Sequence, residues 1–243
     1  MTYCVGLKLN KGLVFMSDTR TNAGVDNISV FKKMFTWHRP GERVITMMTA
    51  GNLATTQALV STLDERSKAP ADRNPTLLEA PSMFQVAKIV GDTLKELIQT
   101  SKPEGQESSS TFNATVIVGG QIKDAEPRLF LIYPEGNFIE ASDETPFFQI
   151  GETKYGKPII VRAFNPDMSF EQAAKLLLVS FDSTIKANLS VGLPLDLLCY
   201  STGSYTPGPV KRIEQDDEYY QTVSSGWGDA LKAAFDSLED FTF

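Results

Sequence analysis

Thr2 combines two catalytic groups in one residue if removal of Met1 leaves it at the start of the chain. Its hydroxyl is a potential nucleophile, and its α-amine is then a potential general base. An α-amino group has a reference pKa near ~8, so it can accept a proton near neutral pH without a large perturbation. Many chains begin with Met-Thr for other reasons, so the dipeptide predicts catalysis only when other residues support it.

Other general bases are scarce in this sequence. Its one histidine, His38, precedes Arg-Pro-Gly, which is typical of a turn, so we expect a solvated imidazole. Cys4 and Cys199 lie in apolar stretches without metal-ligand spacing, and we interpret both as buried, reduced thiols. We therefore expect no metal and no cofactor. The shortage of imidazole favours the terminal amine as the base.

The composition narrows the possible partners and compartments. A net charge of -7 disfavours nucleic acid, because phosphates would repel the chain. No run approaches the ~20 apolar residues of a membrane helix, and the first strand lacks the features of a signal peptide. Together with the reduced cysteines, this predicts a cytoplasmic protein that does not bind membranes.

Periodicity predicts strands and helices in alternating groups. The strands are expected at 3–9, 13–16, 31–37, 43–49, 113–119, 128–133, 138–141, 147–150 and 194–201. The helices are expected from about 53 to 66, over 84–98, before an interruption or end near Pro158, from Ser169 with a capping box, and over 227–238. A Pro-rich connector at 69–81 and a mobile polar loop at 101–111 separate some of them.

Several of these strands are apolar on both faces, so both sides of each sheet must be covered. Two stacked antiparallel sheets between helix layers satisfy this requirement, which gives an α+β fold. At 42% hydrophobic residues, the chain can bury a large core, and it contains no repeat or persuasive linker. We therefore predict a single domain over residues 1–243.

Four short motifs together resemble the N-terminal-nucleophile (Ntn) hydrolases of the proteasome type. They are Thr2, Asp18-Thr19-Arg20 at the end of the second strand, Lys33-Met34-Phe35, and Ala50-Gly51 before a helix. The stretches 1–6, 17–26 and 189–197 are more narrowly similar to the bacterial ancestral beta subunits, Anbu. This resemblance implies a four-layer αββα sandwich and self-assembly of like subunits in a ring or a spiral.

The resemblance also implies roles for individual residues. Thr2 would attack an amide carbonyl and form an acyl-enzyme, while Lys33 would place a positive charge beside it and Asp18 would hold that ammonium. Lys32 is the alternative to Lys33, although only one of the two is expected to point inward. Gly51 would offer a backbone N–H to the oxyanion, or else it is an ordinary turn glycine.

Thr19 and Arg20 are interpreted as supporting the site rather than performing chemistry. The family pattern has a Ser after a glycine where this chain has Glu152 or Thr153. It has an Asp where this chain has Asn188, with Ser190 nearby and Asp182-Ser183 farther back in the helix. An Asn can orient the amine by hydrogen bonding but cannot supply the same charge. The pocket for the residue before the cleaved bond is predicted to be apolar and of small to medium size, and its expected lining comprises Thr21, Thr49 and Leu53.

The resulting hypothesis is a threonine peptidase that hydrolyses peptides or unfolded polypeptide. An amidase acting on small amides and a non-catalytic, self-assembling scaffold subunit are the alternatives. Apolar helix positions are candidates either for contacts between subunits or for the core: Leu59, Leu63, Val90 and Phe235. The chain contains no Walker A motif, so whether a separate ATPase partner exists stays open.

Overall fold

Twelve strands and five helices of the computed structural model lie within residues 2–22, 28–68, 75–101 and 110–243, which are the residues it describes. The strands are β1 (Tyr3–Leu9), β2 (Gly12–Asp18), β3 (Arg20–Asn22), β4 (Ile28–Val30), β5 (Met34–Arg39), β6 (Arg43–Gly51), β7 (Ala114–Ile122), β8 (Arg128–Ile132), β9 (Phe138–Glu140), β10 (Phe147–Gly151), β11 (Leu195–Ser201) and β12 (Lys211–Ile213). The helices are α1 (Leu53–Lys68), α2 (Met83–Thr100), α3 (Lys157–Ala163), α4 (Phe170–Ala187) and α5 (Glu218–Asp236).

Two antiparallel five-stranded sheets form the middle of the molecule. One has the order β10-β1-β2-β11-β12, and the other has the order β5-β6-β7-β8-β9. The β3–β4 pair is a separate two-stranded ribbon. Because β1 lies between β2 and β10, the start of the chain is paired on both sides. This pairing sets the position of Thr2.

Three apolar clusters separate four layers. One lies between α1, α2 and the sheet that contains β6 and β7. A second lies between the other sheet and α3, α4 and the first turns of α5. The third joins the inner faces of the two sheets and includes Phe15, Met48 and Ile117. The prediction of an αββα sandwich is therefore confirmed.

Helix ends follow local sequence signals. In α4, the Ser169 side chain accepts the Gln172 N–H while the Gln172 side chain accepts the Ser169 N–H, so the predicted capping box is present. The prediction that a helix is interrupted or ends near Pro158 is wrong, because α3 begins there. Proline fits the first turn of a helix, where a missing N–H leaves no intrahelical bond unmade.

Other differences concern short or shifted elements. α5 begins at Glu218 with Asp217 as its N-cap, about three turns earlier than expected. The three-residue strands β3, β4 and β12 were not predicted. The predicted connector and the predicted mobile loop fall partly on residues 69–74 and 102–109, which lie outside the described ranges.

The four helix positions that were candidates for subunit contacts or for the core differ in burial. Leu59, Leu63 and Val90 are fully buried in the cluster beneath α1 and α2, so they belong to the core. Phe235 is 76% exposed. None of the helices within the described ranges has the length and apolar character needed to cross a bilayer.

Candidate active site

The first residues of β1 hold Thr2 in a fixed position. The Tyr3 ring packs against Phe181 with centroids 4.4 Å apart, and its hydroxyl hydrogen-bonds with that of Ser180 at 2.8 Å. Burial raises the pKa of Tyr3 to about 12. Cys4 faces the other sheet, where its thiol approaches the Thr49 carbonyl. The strand is therefore anchored on both faces next to Thr2, which is itself buried.

Gly151 at the end of β10 contacts Thr2 more closely than a side chain would allow. A Cβ at Gly151 would fall 1.9 Å from the Thr2 carbonyl oxygen, and its φ of +82° also favours glycine. The next N–H, from Glu152, donates to that oxygen at 2.7 Å. Gly151 was not predicted as a site residue. A glycine directly after an apolar strand is the sequence signal that marks it.

Asp18 and Lys33 form a buried ion pair at the end of β2. Lys33 Nζ donates to Asp18 Oδ1 at 2.7 Å and to the Arg20 carbonyl at 2.6 Å. The same Asp18 oxygen accepts the Tyr3 N–H at 3.0 Å, which links the pair to the residue after Thr2. Asp18 is 0% exposed and Lys33 is 5% exposed. The structure therefore brings the predicted trio Thr2, Asp18 and Lys33 together.

Burial raises the pKa of the Asp18 carboxyl, since loss of water disfavours its charged form. The Lys33 ammonium, its hydrogen bond and the Tyr3 N–H act in the opposite direction. Lys32, the alternative to Lys33, is exposed, and its Nζ lies 5.5 Å from the centroid of the Phe35 ring. The geometry thus favours Lys33 as the cation of the buried pair.

Arg20 and Thr19 connect this region to the loop before β11. Arg20 Nη1 donates to the Leu189 carbonyl at 3.1 Å, and Thr19 Oγ1 donates to the Pro194 carbonyl at 2.7 Å. A Cβ at Gly192 would fall 2.3 Å from the Arg20 guanidinium, so only glycine fits there without rearrangement. Both side chains hold the loop rather than facing the cavity.

Glu152 and Asn188 contact each other at the end of α4. Asn188 Nδ2 donates to Glu152 Oε2 at 3.0 Å, while Asn188 Oδ1 accepts the Ser190 N–H at 2.9 Å. Asn188 is also the C-cap residue of α4, so its backbone position is fixed. Ser190 thus contributes its backbone N–H to this arrangement. The pair occupies the place where the sequence departs from the family pattern.

Glu152 contacts Thr2 through the backbone. Its N–H donates to the Thr2 carbonyl at 2.7 Å, one residue beyond the pairing of Tyr3 with Gly151. Its carboxylate accepts a hydrogen bond from the Asn188 amide, so Glu152 links the start of β1 to the end of α4. Sequence reasoning did not find this link.

A cavity of about 470 Å³ opens beside Thr2 and Lys33. The three predicted pocket residues, Thr21, Thr49 and Leu53, all line it. Further lining residues that were not predicted are Phe35, Thr56 and Gln57 from β5 and α1, with Lys32 also at the wall. Its lining mixes apolar side chains with hydroxyl and amide groups, and a preference for small-to-medium apolar side chains stays a prediction.

Gly51 lies in the same cavity, at the end of β6. Its φ is +120°, and a Cβ there would fall 2.4 Å from the Asn113 carbonyl oxygen of the adjacent chain segment. Packing against β7 therefore accounts for the glycine by itself. Its place in the cavity remains compatible with the oxyanion role that the resemblance implies.

The histidine and the two cysteines do not line this cavity. His38 is exposed near the end of β5, and Cys4 and Cys199 are free thiols, buried and half-buried respectively. Burial raises the pKa of both thiols, to about 11 for Cys199. Both therefore favour the protonated form, which is a poor nucleophile.

The fold is that of a proteasome-type subunit. A sequence model described as "Proteasome subunit" matches residues 2–192, which is more than half of the chain. The chain therefore belongs to the proteasome subunit family, as its motifs predicted.

Individual relatives are consistent with this family. The chain is 28% identical over 195 residues to proteasome subunit beta 2 of Pyrobaculum calidifontis, covering 80% of this chain and 86% of the relative. It is 51% identical to a Gly-1 mutant of Anbu from Hyphomicrobium sp. strain MC1, with full coverage of both chains and a TM-score of 0.92.

Two further Anbu structures are similarly close. Anbu from Yersinia bercovieri is 45% identical, covers 99% of each chain and has a TM-score of 0.92. A structure described as the helical assembly of the Anbu complex from Pseudomonas aeruginosa is 42% identical, covers 99% of this chain and 98% of that one, and has a TM-score of 0.91. The predicted resemblance to Anbu is confirmed.

Proposed function

We propose that this chain is a threonine peptidase in which Thr2, after removal of Met1, is both nucleophile and general base. The observation that carries the proposal is the buried Asp18–Lys33 ion pair. The Tyr3 N–H joins this pair to the first residue of β1, directly after Thr2, and Lys33 lies in the wall of an open cavity. Enclosing two opposite charges costs free energy of desolvation, so such a pair next to a potential nucleophile indicates a functional arrangement.

In the proposed acylation step, Thr2 Oγ attacks the carbonyl carbon of an amide, and its proton passes to the Thr2 amine directly or through water. The C–N bond then breaks, the leaving amine takes up the proton, and an ester joins the acyl group to Thr2. Water hydrolyses this ester in the second step, which releases a carboxylic acid and restores the hydroxyl. These two steps need no external cofactor.

The proposed role of Lys33 is electrostatic. Its ammonium favours deprotonation of nearby groups and stabilises negative charge that develops on Oγ. Asp18 and the Arg20 carbonyl fix its direction, since both accept hydrogen bonds from Nζ. Gly51 is proposed to offer its backbone N–H to the oxyanion.

Glu152 and Asn188 are proposed to support the Thr2 amine together. The Glu152 N–H donates to the Thr2 carbonyl, and Asn188, itself held by the Ser190 N–H, orients the Glu152 carboxylate through Oε2. The negative charge that the family pattern has at the end of the penultimate helix is then supplied from the end of β10. Thr19 and Arg20 support this arrangement through the loop before β11.

The proposed substrates are peptides or unfolded polypeptides, with a small-to-medium side chain before the cleaved bond bound among Thr21, Thr49 and Leu53. The exposed ammonium of Lys32 lies at the same wall, so acidic side chains are the first to compare with apolar ones in peptide profiling. We also propose that residues 1–243 act as one domain, that like subunits assemble as described for Anbu from Pseudomonas aeruginosa, and that the protein is cytoplasmic.

The test is intact-mass analysis of the purified protein before and after treatment with a β-lactone or an epoxyketone. Loss of Met1 and a single adduct are expected, with peptide mapping to Thr2. Thr2→Ala should abolish the adduct, whereas Thr145→Ala, a matched change at an exposed threonine in the loop before β10, should retain it. Retained Met1 with no adduct would contradict the proposal and support a scaffold subunit.

A substrate comparison distinguishes peptidase from amidase. Fluorogenic peptides with a coumarin leaving group and small primary amides are offered to the same preparation. The peptidase proposal predicts turnover of the peptides that disappears in Thr2→Ala. Turnover of the small amides alone would indicate the amidase.

A further inference from the structure

The outer part of α5 and the segment after it are not covered by their own chain. Each residue from 229 to 243 is exposed. Apolar side chains recur through this segment: Leu231, Phe235, Leu238, Phe241 and Phe243. Leu231 and Phe235 are four residues apart on α5, so they share one helix face, and the other three follow the end of the helix. An isolated helical extension of this length is marginal in water, so its apolar face needs a covering surface.

A groove of about 770 Å³ lies between α3, α4 and α5 on the same side of the molecule. Its apolar lining includes Ile159, Met168, Leu176, Val179 and Trp227, together with Leu231 of the exposed segment itself. The indole N–H of Trp227 is buried and has no hydrogen-bond partner within the described part of the chain. A buried donor without an acceptor costs free energy, so an acceptor brought into the groove would stabilise it.

The charges of the groove and of the segment are opposite. Arg162 and Lys175 line the groove, and neither has an ion-pair partner among the described residues. Asp167, which also lines it, accepts a hydrogen bond from Asn10. The segment 229–243 carries Asp229, Asp236, Glu239 and Asp240 against Lys232. An acidic, aromatic segment therefore faces solvent close to an apolar groove with free cations.

We propose that the segment 229–243 of one subunit packs into the α3–α4–α5 groove of a second copy of this chain. Leu231 lines the groove of its own subunit, whereas α5 continues to Asp236 and the residues after Leu231 are exposed and do not line that groove. Contacts between the segment of one subunit and the groove of another are either exchanged within a two-fold dimer or continued from subunit to subunit. The proposal rests on the proposed self-assembly and assigns a surface to it.

Charge reversal provides the test, with sedimentation velocity of the full chain at low salt as the readout. The groove variant Arg162→Glu/Lys175→Glu is expected to weaken self-association about 100-fold, because like charges then face each other. The segment variant Asp236→Lys/Glu239→Lys/Asp240→Lys is expected to weaken it similarly. Combining all five substitutions in one chain should restore association to within about tenfold of the wild type.

Val161→Asp is the matched control, because Val161 is 60% exposed on α3 but does not line the groove. This variant should associate like the wild type, and circular dichroism should show that every variant is folded. Association that is unchanged by both charge reversals, or not restored by their combination, would overturn the proposed surface while leaving self-assembly intact. A monomeric wild type at micromolar concentration would overturn both.

Discussion

Asp18 Oδ1 accepts hydrogen bonds from two parts of the chain, the Tyr3 N–H and the Lys33 ammonium. Replacing either Asp18 or Lys33 by a neutral residue leaves the charge of the other buried without an opposite charge beside it. Such a loss costs more free energy than the intact pair contributes, because the desolvation of the remaining charge is no longer offset. The pair is therefore expected to show strong coupling in a double-mutant cycle.

Asp18→Asn and Lys33→Met should each lower the free energy of unfolding by about 3–5 kcal/mol, and the double variant should lose less than either single variant. Urea unfolding followed by circular dichroism measures all four proteins. Additive losses would contradict the coupling. Acylation by the β-lactone should fall in all three variants, which separates the stability of the pair from its proposed role in catalysis.

The raised pKa of Asp18 sets the direction of the pH dependence. A carboxyl whose pKa is higher in the folded state binds its proton more tightly there, so its contribution to stability decreases as pH rises above the unfolded value of about 3.9. Lys33→Met removes a cation that opposes this shift. Its stability should therefore continue to fall to a higher pH than that of the wild type as pH rises from about 4, and an equal pH range of loss would contradict the argument.

Glu152 and Asn188 allow a test in which one charge is moved between two positions. Glu152→Gln removes a carboxylate that favours the protonated Thr2 amine, so the pKa of that amine should fall. The decrease of the acylation rate at acidic pH should then begin at a lower pH. The rate itself should fall by roughly 10- to 100-fold because the amine is less well positioned. Adding Asn188→Asp returns a carboxylate to the end of α4 and should recover most of both effects.

Glu144→Gln is the control for this exchange, because it makes the same chemical change at an exposed position in the loop before β10. It should leave both the rate and the pH profile unchanged. An unshifted decrease of the rate at acidic pH in Glu152→Gln would show that the carboxylate does not act on the amine. A wild type that is not labelled at all would instead contradict catalysis by Thr2.

At the scale of elements, the end of β10 positions Thr2 through backbone contact. Gly151→Ala should cost about 1–2 kcal/mol in backbone strain and should also displace Thr2, since the new Cβ would overlap its carbonyl. A displacement near 1 Å can slow a reaction about 100-fold. We therefore expect acylation to fall by that factor in a protein that remains folded by circular dichroism.

Gly203→Ala separates the two causes. Gly203 has a φ of +76°, close to that of Gly151, but no atom lies within 4 Å of the position of its Cβ. This variant should show only the loss of stability, with acylation unchanged. Equal acylation in the two variants would mean that the contact between Gly151 and Thr2 does not position the nucleophile.

Elements with strong local signals were predicted correctly. Alternation over 3–9 matches β1, and the capping box at Ser169 matches the start of α4. Local signals failed where one residue type has two meanings, since proline near α3 starts a helix instead of ending it. They also failed for the three-residue strands β3, β4 and β12, which are too short to show a period, whereas β9, equally short, was predicted.

The candidate site was likewise predicted only in part. Thr2, Asp18 and Lys33 are marked by motifs along the chain, so the sequence indicated them. The backbone contact between Glu152 and Thr2 depends on the pairing of β1 with β10, which joins distant parts of the chain. Residue types alone do not reveal which strands pair. The groove between α3, α4 and α5 was missed because it depends on how helices that are distant in the sequence pack together.

At the scale of the whole molecule, the exposed segment 229–243 connects stability to association. If a second copy covers its apolar side chains, assembled subunits are more stable than free ones, because binding to the folded state shifts the unfolding equilibrium. The chain carries a net charge of -7, so subunits repel one another in general. Association must then depend on local complementarity, such as that between the segment and Arg162 and Lys175.

The thermal midpoint of the wild type should therefore rise with protein concentration. Going from the dissociation constant to 100 times that value adds about 2 kcal/mol per subunit, which corresponds to about 4–8 °C for a chain of this size. Differential scanning fluorimetry across that range measures the shift. A chain that ends at Asp236 lacks Leu238, Phe241 and Phe243 and should show little or no shift, whereas Val161→Asp should follow the wild type. A concentration-dependent midpoint that survives the truncation would mean that other surfaces hold the subunits together, because the covered apolar area would then lie outside this segment.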